Sequence, residues 1–175
     1  KSVKDQHGRQ SLAELEILAE QTIENLRRLT RALRPIYLED LGLVTALEML
    51  AREISQNNQL VVDFQKTGQE RRLSREEELS LYRIAQEALN NVVKHSKATH
   101  ADLKIVFDTS EIKMEVSDNG SGFMVPKSPT EFAPNGHFGL MGMHERADLI
   151  GARLEIESAL GKGTSLKVVL SEVEV

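Results

Sequence analysis

SREEELSLYRIAQEALNNVVKH, residues 74–95, is the segment on which the architecture turns, because both its start and its two faces can be read. Ser74 stands three residues before Glu77, the pairing in which a serine and a glutamate each satisfy a free backbone amide at a helix start. The segment therefore predicts a helix from Ser74 to about His95. Leu89, Val92 and Val93 supply its apolar side. Glu87 and Asn91 lie four residues apart and share the other face, with Lys94 and His95 one turn further along. A carboxylate, a carboxamide oxygen and a lysine in one row could place a magnesium ion and a polyphosphate, since magnesium takes oxygen ligands and lysine supplies a point charge. Taken alone, the row is also what a solvated helix face looks like.

Downstream of this helix, residues 101–107 and 112–118 alternate apolar and polar and predict two strands joined by the short turn Asp108-Thr109-Ser110. Residues 119–138 are rich in Gly, Pro, Ser and Asn and predict a long irregular loop, a type that in compact domains tends to serve function. A short helix from about Leu140 to Ile150, ended by Gly151, and strands over 153–158 and 164–170 complete this half.

Upstream, residues 60–67 read as a strand closed by a turn at Gly68, and residues 40–56 as a helix with the stripe Leu43, Val44, Leu47, Leu50, Ala51 and Ile54. From Leu12 the positions Leu15, Ala19, Thr22, Leu26, Leu29 and Leu33 alternate at spacings of three and four. So narrow a seam suits a coiled coil or bundle and hence dimerisation; an amphipathic helix folded on its own domain is the other reading. Leu33-Arg34-Pro35 closes it, because proline disfavours helical geometry in the residue before it. Two regions are expected, 1–35 and 36–175. Helix, strand, helix, two strands, loop, helix, two strands predicts an α+β fold, a two-layer sandwich of a mixed, mostly antiparallel sheet with helices on one face.

Composition limits what such a fold does. The chain has 175 residues, 40% hydrophobic and 28% charged, which suits a packed soluble domain. With 22 Lys and Arg against 27 Asp and Glu, a net charge of -5 gives no footprint for nucleic acid. No apolar run approaches the roughly 20 residues of a membrane span, and no signal peptide is legible. Cysteine is absent, which removes disulfides and thiolate metal sites and suits the cytoplasm. His100, His137 and His144 have no metal-ligand spacing, so zinc is not expected.

Three further segments carry chemistry. Asp118-Asn119-Gly120-Ser121-Gly122-Phe123 comes after a strand; Asn-Gly is a hairpin signal, yet the carboxylate ends an apolar run and no matching strand is found beyond it. Such an aspartate could accept from an exocyclic amine while the glycines let a flat base approach the backbone. Gly136 to Met143 reads as a glycine-rich loop running into a helix near Met143, a place where backbone amides favour phosphate. Gly161-Lys162-Gly163-Thr164 could be a hairpin turn only.

Gln86 to His95 resembles the N box of histidine kinases. Asp118 to Phe123, Gly139 to Ala147 and Gly161 to Thr164 resemble their three glycine-rich boxes, in order. Leu33-Arg34-Pro35 with Leu38-Glu39-Asp40-Leu41-Gly42-Leu43 resembles the subfamily that pairs with LuxR/NarL-type response regulators. The resemblance implies the Bergerat ATP-binding sandwich of histidine kinases, Hsp90, MutL and type II topoisomerases, with ATP and Mg2+ as cofactors. It implies that Asn91 binds magnesium, that Glu87 assists the incoming histidine, and that Lys94 and His95 touch phosphate or ribose. It implies that Asp118 accepts from the adenine amine, that Gly120 and Gly122 permit base approach, that Gly139 and Gly142 line the phosphates, that Leu140 and Met143 also bind the nucleotide, and that Thr164 supports the adenine end. Residues 124–138 would be the ATP lid. Residues 1–35 would be the second helix of a dimerisation hairpin in a homodimer, which could be the cytosolic part of a membrane-bound sensor. The family's acceptor is a histidine followed by an acidic residue on the first helix of that hairpin. His7 is followed by Gly8 and Arg9, so the acceptor is expected on a segment upstream of this chain. An ATP-gated interaction module without phosphotransfer is the alternative, and an ATPase clamp a third reading that the short lid disfavours.

Overall fold

The computed structural model describes residues 36–125 and 138–171. The leucine seam, its closing Leu33-Arg34-Pro35, His7 and the greater part of the expected lid lie outside those residues. The chain divides into two compact units, residues 1–40 and 41–175. The second carries the sheet and the cavity.

Among the described residues three α-helices and five strands run in order: α1 (Ile36–Asn57), β1 (Val61–Thr67), α2 (Arg75–Asn91), β2 (His100–Phe107), β3 (Glu111–Asp118), α3 (Phe138–Leu149), β4 (Arg153–Ser158) and β5 (Thr164–Ser171). The sheet order is β1-β2-β3-β5-β4. β1 runs parallel to β2, and the other three pairings are antiparallel. The mixed, mostly antiparallel sheet read from the sequence is thus the observed one, and each strand boundary lies within about a residue of its expected place.

α2 starts where the capping pair requires. The Glu77 amide donates to Ser74 Oγ at 3.2 Å and the Ser74 amide donates to Glu77 Oε2 at 2.6 Å, while Glu76, Glu77 and Glu78 place negative charge at the helix's positive end. α2 then buries Leu81, Ile84 and Leu89 against the sheet, where the alternating inward residues Leu103 and Ile105 of β2, Ile112 and Met114 of β3 and Val168 of β5 meet them. Each such side chain removed from water contributes about 1.5–3 kcal/mol before chain entropy is charged against it.

Three helix boundaries differ from expectation: α1 starts at Ile36 rather than at residue 40, with Gly42 at a non-helical φ of 77° inside it, and the end of α2 and the start of α3 also move. The α-helical ladder ends at Asn91, and Val92–Ser96 continue as one π turn. The π turn is held by Ser96, whose hydroxyl donates to the Val92 carbonyl at 2.8 Å and accepts from the Ala98 amide at 3.0 Å. Lys97, in the left-handed conformation at φ 55°, ends it. α3 begins at Phe138, so Gly139 and Gly142 lie inside a helix rather than in a loop before one. Glycine costs about 1 kcal/mol in a helix relative to alanine, and at both positions a neighbouring side chain, Glu87 or Arg146, approaches too closely for a Cβ.

Candidate functional site

A cavity of about 560 Å³ opens between α2, the π turn, α3 and the ends of β3, β4 and β5, within the size range of small-molecule sites. Val116, Ile156, Leu166 and Met143 give it apolar walls, and Asp118 and Thr164 stand at one side of it as partners across the β3–β5 ladder. Glu87, Asn91, Lys94 and His95 line it from the helical side. Residues 91, 92, 94, 95 and 96, at the junction of α2 and the π turn, all border the cavity.

Ten of the expected site residues share this cavity: Glu87, Asn91, Lys94, His95, Asp118, Gly122, Gly139, Leu140, Met143 and Thr164. Gly120 and Gly142 do not line it. Gly120 acts beside it, its amide donating to Asp118 Oδ1 at 2.7 Å and its Cα packed on Ser96. Gly142 serves Arg146, whose guanidinium donates to the Gly142 carbonyl at 2.7 Å and lies 2.9 Å from the place of a Cβ. Gly139 stands where a Cβ would collide with Glu87 Oε1 and come within 3.4 Å of Asn91 Nδ2, so the first turn of α3 abuts the polar row of α2.

The Asp118 carboxyl is pushed up from its ordinary range because burial disfavours its charge. The Gly120 amide, which donates to it, and Thr164 across the ladder act against that push. Gly163, at φ 73°, lies against the Asp118 carbonyl, and Gly122, at φ 61°, against the Ala159 carbonyl; both are left-handed positions with no room for a side chain. The Gly161 amide donates to the Ser121 carbonyl at 2.6 Å and the Ser121 amide to the Ser96 carbonyl at 2.7 Å, so the β4–β5 turn, the 119–123 loop and the π turn are tied in series. The Gly161 to Thr164 segment is a hairpin turn whose last residue, Thr164, lines the cavity. After Asp118, by contrast, the chain makes no hairpin, since β3 pairs with β2 and β5.

Several residues of this arrangement carry no signal in the sequence. Asn119 Oδ1 accepts from the Thr99 and His100 amides at 3.0 and 3.1 Å, joining the loop to the start of β2. Ser96 and Phe123 border the cavity, and Ser158 braces it from behind.

Among the described residues no group of three or more His, Asp or Glu side chains could hold a metal alone. Asn91 and Glu87 offer one amide oxygen and one carboxylate, the sparse protein donor set that suits magnesium when phosphate oxygens complete its shell. The cavity thus fits a purine at its apolar, Asp118 end and a magnesium polyphosphate at its polar, Asn91 end.

Residues 76–174 match the family described as histidine kinase-, DNA gyrase B- and HSP90-like ATPases. The chain belongs to this family. Among curated members of it, the chain is 32% identical over 155 residues to the signal transduction histidine-protein kinase/phosphatase DegS of Brevibacillus brevis, covering 89% of this chain and 39% of that protein. It is 31% identical over 161 residues to the oxygen sensor histidine kinase NreB of Staphylococcus carnosus, covering 92% and 44%. The chain thus spans about two-fifths of the length of these relatives. In fold it is similar to the blue-light activated histidine kinase of Erythrobacter litoralis EL346, with a TM-score of 0.67 at 20% identity over 86% of this chain and 49% of that one. The ATPase family's sandwich is therefore present, with the cavity between its helices and its sheet. Among the described residues no helix is long and apolar enough to cross a membrane.

Proposed function

We propose that this chain is the ATP-binding catalytic part of a sensor histidine kinase, which transfers the ATP γ-phosphate to a histidine on a dimerisation helix upstream of residue 1. The supporting observation is the placement of Asp118: a partly buried carboxylate at a strand end, held by the Gly120 amide, among apolar walls and beside glycines that leave room for a flat base. Its remaining acceptor capacity suits the adenine amine. Thr164 supports that end, and Gly120 and Gly122 keep the approach open.

At the other end Asn91 would hold magnesium together with phosphate oxygens, and the ion would neutralise charge on the transferring group. Lys94 and His95 meet phosphate or ribose, and the first turn of α3, with Gly139 and Leu140 and backed by Gly142 and Met143, offers backbone amides to the phosphates. Glu87 stands against Gly139, where the γ-phosphate would emerge. There it takes the imidazole N–H proton as the other imidazole nitrogen bonds to phosphorus and the β–γ bridging bond breaks to leave ADP. Phosphoryl transfer asks the protein chiefly for positioning and charge stabilisation, which this residue set supplies.

The parent would act as a homodimer in the cytoplasm and pass its phosphoryl group to a LuxR/NarL-type response regulator, the pairing suggested by Leu33-Arg34-Pro35 together with the Leu38 to Leu43 segment. The test is calorimetric titration with a non-hydrolysable ATP analogue and magnesium, followed by ATP with a supplied acceptor helix. Binding lost in Asp118→Asn, with transfer exceeding hydrolysis, is the expected result. Rapid hydrolysis without transfer would sink the kinase reading, and a folded chain that binds no nucleotide would sink the ATP site.

A further inference from the structure

Asn119-Gly120 is an Asn-Gly pair that the fold does not use as a hairpin, since β3 runs into a loop there. Such a pair has a reactivity of its own, because glycine has no side chain to shield its nitrogen from the asparagine before it. The Gly120 nitrogen would give up its proton and bond to Asn119 Cγ, the Cγ–Nδ2 bond would break, and ammonia would leave with that proton. Water would then open the cyclic imide at either carbonyl. One opening leaves an aspartate at position 119; the other leaves an isoaspartate, with the main chain running through the side chain.

The electrophile of this reaction is prepared by the fold. Asn119 is exposed, so water reaches it. Its Oδ1 accepts from the Thr99 and His100 amides at 3.0 and 3.1 Å, two backbone donors on the oxygen that gains negative charge when Cγ is attacked. The nucleophile, by contrast, is engaged: the Gly120 N–H donates to Asp118 Oδ1 at 2.7 Å. Taking its proton away would break a charge-assisted hydrogen bond and leave a negative nitrogen against a carboxylate. The next amide, of Ser121, is tied to the Ser96 carbonyl at 2.7 Å, and Gly120 packs on Ser96, so the peptide has little room to turn its N–H elsewhere.

We infer that Asn119 is a deamidation site locked by Asp118: the carboxylate that faces the cavity also holds the Gly120 nitrogen out of reaction and so keeps its own loop intact. Release of the lock would be self-propagating, because an isoaspartate lengthens the main chain between residues 119 and 120 and draws the Gly120 amide off Asp118. The inference does not depend on what the cavity binds.

The experiment is incubation of the chain at pH 8 without nucleotide, in the wild type, Asp118→Ala and Asp118→Asn, with the 119–120 peptide followed by mass spectrometry and isoaspartate assay. Urea-unfolded wild type supplies the unlocked rate, and far-UV circular dichroism shows which variants are folded. Folded wild type should react far more slowly than the unfolded chain. Asp118→Ala should react about ten- to a hundredfold faster than folded wild type, the worth of one hydrogen bond to a charged group. Asp118→Asn, which keeps a neutral acceptor, should be about three- to tenfold faster and decides the matter if the alanine chain does not fold. Asn135-Gly136, the chain's other such pair, is read in the same digest and should keep one rate in all folded chains. Folded wild type reacting at the unfolded rate, folded variants reacting no faster than wild type, or both pairs accelerating together would overturn the inference.

Discussion

The carbonyl oxygen of Asp118 occupies the space that a Cβ on Gly163 would need. Asp118 ends β3 and Gly163 lies in the turn just before β5, where Asp118 pairs with Thr164, and the missing side chain lets that turn close against the Asp118 backbone. Gly163→Ala must therefore displace backbone as well as adopt an unfavourable φ of 73°. It should cost roughly 3 kcal/mol of stability and abolish nucleotide binding. Gly161→Ala meets the same kind of φ, 75°, with nothing within 4 Å of the new atom. That change should cost only about 1 kcal/mol and leave affinity near the wild type, as denaturant unfolding and titration of the two variants would show.

Asp118 sets function against stability. Its carboxyl is pushed above the ordinary 3.8 by burial, so the folded chain holds the proton more tightly than the unfolded one. Its contribution therefore favours folding at low pH. It declines as pH rises from 3.8 through the raised native value, and is constant above that. Asp118→Asn removes this slope while an amide oxygen can still accept from Gly120. Without nucleotide the variant should melt higher than the wild type at neutral pH and should show no such advantage at pH 3. It should bind adenine nucleotide at least tenfold more weakly. A wild type that melts higher at neutral pH would contradict the assignment.

How far the sequence can be read depends on which signals it carries. Ser74 and Glu77 mark a helix start without tertiary help, and the alternation of β2 and β3 gives strands because one face is buried. Asp118 is legible because a carboxylate ending an apolar run needs a reason. Ser158, Ser96 and Asn119 are not, because small polar residues near strand and helix ends look solvated in any sequence; only the fold brings Phe123, Thr99 and Ser121 to them. The π turn is hidden for another reason: over a single turn, periods of 3.6 and about 4.4 residues differ by less than one position. Gly139 and Gly142 read as loop because two glycines weigh against a helix locally, and the side chains of Glu87 and Arg146 that explain them come from another element and from one turn on.

Gly139→Ala should separate binding from chemistry. The added methyl meets the Glu87 carboxylate rather than the adenine end, so the flexible glutamate is what must move. Analogue affinity should fall by no more than about threefold while transfer to a supplied acceptor helix drops by about a hundredfold, the cost of displacing a group that must sit within hydrogen-bonding reach of the incoming nitrogen. Gly142→Ala meets only the end of the Arg146 side chain and should spare both.

Glu87 and Asn91 stand one turn apart on the same helix and should fail differently. Asn91→Ala removes the amide oxygen proposed for magnesium, so the variant should bind nucleotide equally with and without the ion, losing the magnesium-dependent part of the wild-type affinity. Glu87→Gln keeps a similar shape and a hydrogen-bonding oxygen but gives up the base. It should bind the magnesium complex within about twofold of the wild type and transfer phosphate about a hundredfold more slowly, the scale of a lost general base. Single-turnover transfer read beside analogue titration distinguishes the two. If Glu87→Gln transferred at the wild-type rate, the imidazole proton would have to leave by another route, and the polar row of α2 would be reduced to a nucleotide-binding surface.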